Sequence, residues 1–191
     1  MTLATLTRPY DELTPENVVF LFIDQQLVPL WDLEFAELRR NVFRLAQSAT
    51  SFGVPTVVTT IATEQWGPVI PELMVAAPES TFVERSTVNA WDDSGVRRAV
   101  ERGGSTGRRT KLVISGSITE IGVAMCAIAA ARAGYEVYAV LDASGQSTHR
   151  ALLGMLDAGV IVTTTALVVR EMTRTAVPQV GYDVLSQRDV A

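Results

Sequence analysis
The sequence is short of the residues that most often carry chemistry: in 191 residues it has one cysteine, one histidine and one lysine. One cysteine excludes an internal disulfide framework, and one histidine excludes the Cys/His clusters of structural zinc sites. A reducing, cytoplasmic setting is expected, without a metal or cofactor. Clustered Lys/Arg is also missing and the formal charge is -5, which argues against a nucleic-acid partner because neutralising phosphates needs concentrated positive charge. No apolar run approaches the ~18 residues that cross a bilayer. The opening MTLATLTRPYDELTPE mixes charges with prolines and has no apolar core of a secretory signal. These exclusions leave a small molecule or a protein as the expected partner.

What the sequence does contain is apolar: 48% of the chain, enough to bury one sizeable core. A single domain over residues 1–191 is expected, with an N-terminal arm at 1–16 and a C-terminal tail at 175–191. NVVFLFID is a near-continuous apolar run ending in an acid, the pattern of a parallel strand buried on both faces. EFAELRRNVFRLAQSATSFG has helical spacing at Phe35, Leu38, Val42, Leu45 and Ala46, and PTVVTTI reads as a second strand, completing a βαβ unit. A looser stretch, EQWGPVIPELMVAAPES, has room for one short helix. Strand and helix then alternate to the end: TFVER, DDSGVRRAVERGG, KLVISGS, TEIGVAMCAIAAARAG, EVYAVLD, THRALLGMLDAG, VIVTT and TALVVREMTRT. The expected architecture is α/β: a three-layer α/β/α sandwich, Rossmann-like, with five or six mostly parallel strands.

In an open parallel sheet the ligand sits beyond the carboxyl ends of the strands. Asp24 follows the first strand directly, where a bare carboxylate is costly to bury, so it is the leading candidate for a general acid or base. Asp142, in LDASG, reads as a turn cap. Trp66 and Trp91 are candidate pocket walls. Gln25, Ser86, Asn89, Thr119 and Glu120 are candidate polar contacts, and Thr119 is placed to cap the helix that follows KLVISGS. Cys126 sits in the middle of that helix among Met125, Ala127 and Ile128, where packing is the expected role and a nucleophile the minor one.

FLFIDQQ, NAWDD, VISGSITEIGVA and AVLDASG, in that order and at these separations, resemble the isochorismatase-like cysteine hydrolases, in particular their YcaC-like branch. The resemblance covers about Asn17 to Arg174 and implies a six-stranded sheet, a homo-oligomer, and a triad of Asp, Lys and Cys acting on amides, nitriles or related compounds. The Asp maps to Asp24. The Lys falls among Glu84, Arg85 and Ser86, of which Arg85 is the basic one. Lys111 cannot replace it: it opens a strand, and at ~3.3 Å per residue it lies roughly 15 Å or more from the carboxyl edge. The Cys position is Gly122. By the same resemblance the Ile118–Thr119 peptide is expected to be cis, aiming backbone N–H groups into the cleft, and His149 aligns with a family histidine but is expected to cap a helix.

The chain thus departs from the family triad at two positions of three. The leading expectation is an isochorismatase-like hydrolase, or related lyase or isomerase. It would act on a small organic molecule by acid–base catalysis from Asp24, with Arg85 binding or polarising and Gly122 leaving space. One alternative retains an amidase- or nitrilase-type mechanism, with Cys126 or a hydroxyl of Ser86, Ser117 or Thr119 as nucleophile. The other is a catalytically degenerate binding or assembly subunit.

Overall fold
The run VVFLFI forms β1 (Val18–Ile23), and all six of its side chains are buried. Such a strand needs cover on both faces. In the computed structural model, which describes residues 12–30, 35–104 and 109–175, it has that cover. Five further strands join it: β2 (Thr56–Ile61), β3 (Thr81–Arg85), β4 (Lys111–Gly116), β5 (Glu136–Val140) and β6 (Ile161–Thr163). Every pairing is parallel and the order is β3-β2-β1-β4-β5-β6. Residues 1–11 of the expected arm, and the expected tail beyond Thr175, lie outside the described residues.

The two-residue period of β1 sorts its side chains into two cores. Val18, Phe20 and Phe22 meet α1 (Ala36–Ser51), α3 (Pro71–Ala76) and α7 (Thr165–Thr175) on one face. Val19, Leu21 and Ile23 meet α4 (Ser94–Gly103), α5 (Ala124–Arg132) and α6 (His149–Asp157) on the other. Helix α1 presents Leu38, Val42, Leu45 and Ala46 to its core, as its spacing requires. The edge strand β3 is the most exposed, with Phe82 44% exposed.

After β3 the chain crosses back over the sheet to place β4 beside β1, so the strand order reverses between β1 and β4. At such a switch point the loops leaving the two strands diverge and open a crevice at their carboxyl ends. Gly116 makes this junction tight: paired with Ile23, it would put a Cβ 2.9 Å from the Ile23 carbonyl oxygen.

The loose stretch after β2 holds two short helices rather than one, α2 (Thr63–Trp66) and α3. It is tied to the loop after β1. Leu27 and Val28 donate their N–H groups to the Pro68 and Trp66 carbonyls at 2.9 and 3.0 Å. The buried Gln26 side chain donates to the Gly67 carbonyl at 2.7 Å and accepts from the Ile61 N–H at 2.9 Å. Asp142 does not cap its own turn, where the Ser144 and Gly145 N–H groups go to the Leu141 and Gly116 carbonyls; its carboxylate accepts instead from the Thr165 N–H at 2.8 Å and hydroxyl at 2.9 Å, at the start of α7. His149 does not cap α6. Thr148 does, accepting from the Ala151 N–H at 3.4 Å, and His149 is exposed. Among the described residues no helix is long and apolar enough to cross a membrane.

Candidate active site
Asp24 ends β1 in a left-handed backbone conformation, φ +50°, which a short polar side chain tolerates better than most. The turn is held on both sides: the Asp24 N–H donates to the Thr59 carbonyl at 3.1 Å, and the Asp24 carbonyl accepts from the Gln26 N–H at 2.7 Å. The Thr59 hydroxyl, fully buried at the end of β2, donates to Asp24 Oδ1 at 2.8 Å. The other carboxylate oxygen, Oδ2, accepts from Arg85 Nη2 in an ion pair.

Arg85 is thus the basic residue that meets Asp24, and the sheet explains why its length matters. β3 and β1 are separated by β2, two strand spacings or about 10 Å, so a side chain ending β3 must reach across its neighbour. Its Nη1 also donates to the Thr87 and Val88 carbonyls, the latter at 3.1 Å, and its Nε is buried without a partner. The Arg85 side chain is 3% exposed and that of Asp24 13%. Glu84 is exposed and accepts weakly from the Thr63 N–H at 3.4 Å, and Ser86 is exposed. Lys111 is paired with Glu136 at 2.9 Å where β4 and β5 begin, at the opposite edge of the sheet.

Asp24 and Arg85 line a pocket of about 130 Å³ at the switch point, together with Ile23, Gln26, Pro29, Ile61, Trp66, Val88, Ser117, Ile118, Ile121 and Gly122. Asp24, Arg85, Gly122, Trp66, Ser117 and Ile118, all singled out in the sequence, come together here. Others do not line it. Gln25 is turned inward, donating to the Ser115 hydroxyl at 3.2 Å and the Ala143 carbonyl at 3.0 Å. Asn89 accepts from the Trp91 N–H at 3.1 Å as the cap of a short turn, and Trp91 is 7% exposed with its ring edge-on to Tyr135 at 5.2 Å. Ser86 and Glu120 face solvent.

The turn after β4 differs from the expected helix start. Residues Thr119–Val123 form a π-helical turn, a wide turn frequent at functional sites, which leads into α5. Thr119 is not its cap: the Thr119 hydroxyl donates instead to the Gly145 carbonyl, with Ile118 in the cap position. The Ile118–Thr119 peptide is trans, as are all the described peptide bonds. Its carbonyl, on Ile118, takes the N–H groups of Gly122 at 2.9 Å and Val123 at 3.3 Å. The Gly122 N–H is thus already engaged, and the first-turn donors left without an intrahelical acceptor are those of residues 119–121.

Gly122 itself sits close to β1. A Cβ there would meet only Ile23 Cγ2, at 3.3 Å. Cys126 lies one turn further on, fully buried in the core with Ile23, Ala90 and Trp91. Burial pushes its thiol up to about 12, and the nearby Arg85 charge and the Trp91 backbone pull it back only in part. A thiol needs its thiolate form to attack, and this one stays protonated near neutrality. Among the described residues no three His, Cys, Asp or Glu side chains come together as metal ligands.

Thr59, Gln26, Val88 and Ile121 were not picked out from the sequence. Thr59 carried little signal, being one of three threonines in the strand TVVTTI. The apolar lining carried none, because Val88 and Ile121 read like any other loop or helix residue.

A crevice at the β1/β4 switch point, with an Asp after β1 paired to an Arg from β3 and the turn after β4 beside it, is where an open parallel α/β sheet holds its ligand. The chain belongs to the isochorismatase family: the Isochorismatase domain family model matches residues 18–167. It is 35% identical over 145 residues to the probable hydrolase YcaC of Escherichia coli (strain K12), covering 73% of this chain and 68% of that protein. The crystal structure of the E. coli YcaC gene product, described as an octameric hydrolase of unknown specificity, superposes with a TM-score of 0.85 at 31% identity, covering 94% of this chain and 92% of that one. YcaC from Pseudomonas aeruginosa, solved with hexane-2,5-diol and covalent acrylamide, gives 0.84 at 29% identity over the same shares.

Proposed function
We propose that this chain hydrolyses a small organic molecule by acid–base catalysis from Asp24, with no covalent cysteine intermediate. The observation that carries the reading is the Asp24–Arg85 ion pair on the wall of a pocket whose opposite side is Gly122 and whose thiol is out of reach. Asp24 has one lone pair on each oxygen committed, to Thr59 and to Arg85, which leaves a second on each for a proton. As the paired carboxylate it begins the cycle as a base. It takes a proton from a water that attacks the electrophilic carbon held over Gly122, then returns that proton to the leaving oxygen or nitrogen. Developing negative charge is met by the Nη2 N–H that Arg85 has not used and by the free first-turn amides. Arg85 remains charged throughout, so it orients and polarises and carries no proton.

Homo-oligomer formation fits the octameric relative, and a single buried thiol suits a reducing, cytoplasmic setting. The P. aeruginosa relative is described with covalent acrylamide, and an adduct requires a nucleophile; the pocket here presents no thiol. Intact-mass analysis after acrylamide treatment tests this. Native protein should gain no adduct, and Gly122→Cys should gain one. Labelling of native wild type that is abolished by Cys126→Ala would sink the proposal.

A further inference from the structure
A second cavity, of about 430 Å³, lies beyond the carboxyl end of β5, between the first turns of α1 and the chain that follows β5. Its volume is that of a small-molecule site. It shares no lining residue with the Asp24 pocket. Gly145 walls the one and Ser117 the other, and these two residues pack directly against each other.

The polar lining of this cavity is unbalanced. Its buried donors are spent: Asn41, 8% exposed, donates its Nδ2 to the Asp142 carbonyl at 2.9 Å, and the Ser144 hydroxyl donates to the Val140 carbonyl at 2.6 Å. Its acceptors are not. Only the nitrogen of an amide can face a carbonyl, so the bond to Asp142 fixes the Asn41 side chain and leaves Oδ1 to the cavity, where it accepts from no described residue. The Asp142 carboxylate holds Thr165 with Oδ1 alone, and Oδ2 has no partner among the described residues. Glu37, one turn before Asn41 on the same helix face, is exposed and has none either.

Two carboxylates and no basic side chain line the cavity. The N-terminus of α1 opposes them with about half a positive charge, too little to reverse the sign. The field therefore favours a cation. A bare divalent metal fits poorly, since it takes six or more close oxygens and no three His, Cys, Asp or Glu side chains come together among the described residues. An alkylammonium fits better. It brings three donors to three open acceptors, and its hydrocarbon can lie on Phe35, Leu38 and Leu141.

We propose that this cavity binds a small primary amine, with the ammonium received by Asn41 Oδ1, Asp142 Oδ2 and Glu37 and the hydrocarbon by Phe35, Leu38 and Leu141. The site is separate from the Asp24 pocket, and it stands or falls apart from the proposed catalysis.

The test is calorimetric titration of the full-length wild-type protein at neutral pH with three probes of similar shape: 2-phenylethylamine, 2-phenylethanol and 3-phenylpropanoate. The amine should bind at least about tenfold more tightly than the alcohol or the anion, the worth of one charge-assisted hydrogen bond. Asn41→Leu should weaken the amine by about tenfold or more for the same reason. Glu37→Gln, at an exposed position where water screens the pair, should weaken it about threefold and keep the wild-type melting temperature. That variant carries the test if Asn41→Leu, which also loses its bond to Asp142, fails to fold. Asp24→Asn should leave amine binding unchanged. No binding of the amine, an alcohol or anion bound as tightly, or unaltered amine affinity in Glu37→Gln would overturn the inference. So would amine binding that is lost in Asp24→Asn, because the amine would then sit in the catalytic pocket.

Discussion

Removing Arg85 tests the central ion pair without reference to any substrate. In Arg85→Met the side-chain bulk is largely kept, while the partner of Asp24 and the donors to the Thr87 and Val88 carbonyls are lost. Breaking one side of a buried pair costs about 3–5 kcal/mol, because the other charge stays buried. Asp24 is 13% exposed and still has Thr59, so water reaches it in part and the expected loss falls to about 2–4 kcal/mol. Asp24→Asn should cost a similar amount, since it leaves the 3% exposed guanidinium against a neutral amide. The double variant removes both charges and should recover part of the loss. Urea unfolding of the four proteins at neutral pH and constant ionic strength gives the coupling free energy, expected at about 2 kcal/mol. A coupling below about 0.5 kcal/mol would mean that the two groups act independently, and the paired Asp24 of the proposed mechanism would fall with it.

Three further outcomes follow from the same geometry. The Cys126 thiol is raised from 9.0 to about 12 by burial, so between those values the unfolded chain releases a proton that the folded chain keeps. Stability is complete below pH 9 and falls as pH rises, by about 1.4 kcal/mol per unit from this group, and Cys126→Ala should flatten that slope in urea midpoints measured on either side of pH 9. Gly145→Ala should be severely destabilising, because its Cβ would lie 2.0 Å from the Ser117 carbonyl oxygen, whereas Gly122→Ala asks only that the Ile23 methyl give way from 3.3 Å; thermal melts of the two should differ by well over 5 °C, and equal melts would contradict the close packing at this turn. Asp142→Ala removes the two bonds at the start of α7 and should cost about 1 kcal/mol, with faster amide exchange in that helix. A global loss without local exchange would argue against the cap.

The sheet was legible because its signals are local. An apolar run as short as VVFLFI, rich in β-branched and aromatic residues, reads as a buried strand, and an acid at its end marks the carboxyl edge. The three-residue ambiguity at Glu84 to Ser86 had no local solution. Only the register of Ile61 against Arg85, with β2 lying between β3 and β1, shows which side chain reaches Asp24. The turn at Thr119 misled for the same reason. A Thr before a helical run is a normal cap, but here its hydroxyl is claimed by the carbonyl of Gly145, twenty-six residues away in sequence, and the helix opens with a wide π turn instead. The resemblance singled out Gly122, which lines the pocket, but not the engagement of its N–H by the Ile118 carbonyl. Gln25, Asn89 and Trp91 were plausible as ligands by position alone; hydrogen bonds and packing partners distant in the chain decide that they support the fold.

The central claim is that Asp24, and no thiol, drives the chemistry. It is tested most directly by kcat/KM for wild type, Asp24→Asn and Cys126→Ala on one hydrolysed substrate, drawn from a panel of neutral amides, esters, nitriles and vinyl ethers, at a temperature where all three proteins are folded. The account predicts a loss of about 10²–10⁴-fold in Asp24→Asn, the usual worth of a positioned acid–base group, and a rate in Cys126→Ala close to that of wild type. Full activity in Asp24→Asn, or activity abolished in a folded Cys126→Ala, would contradict it.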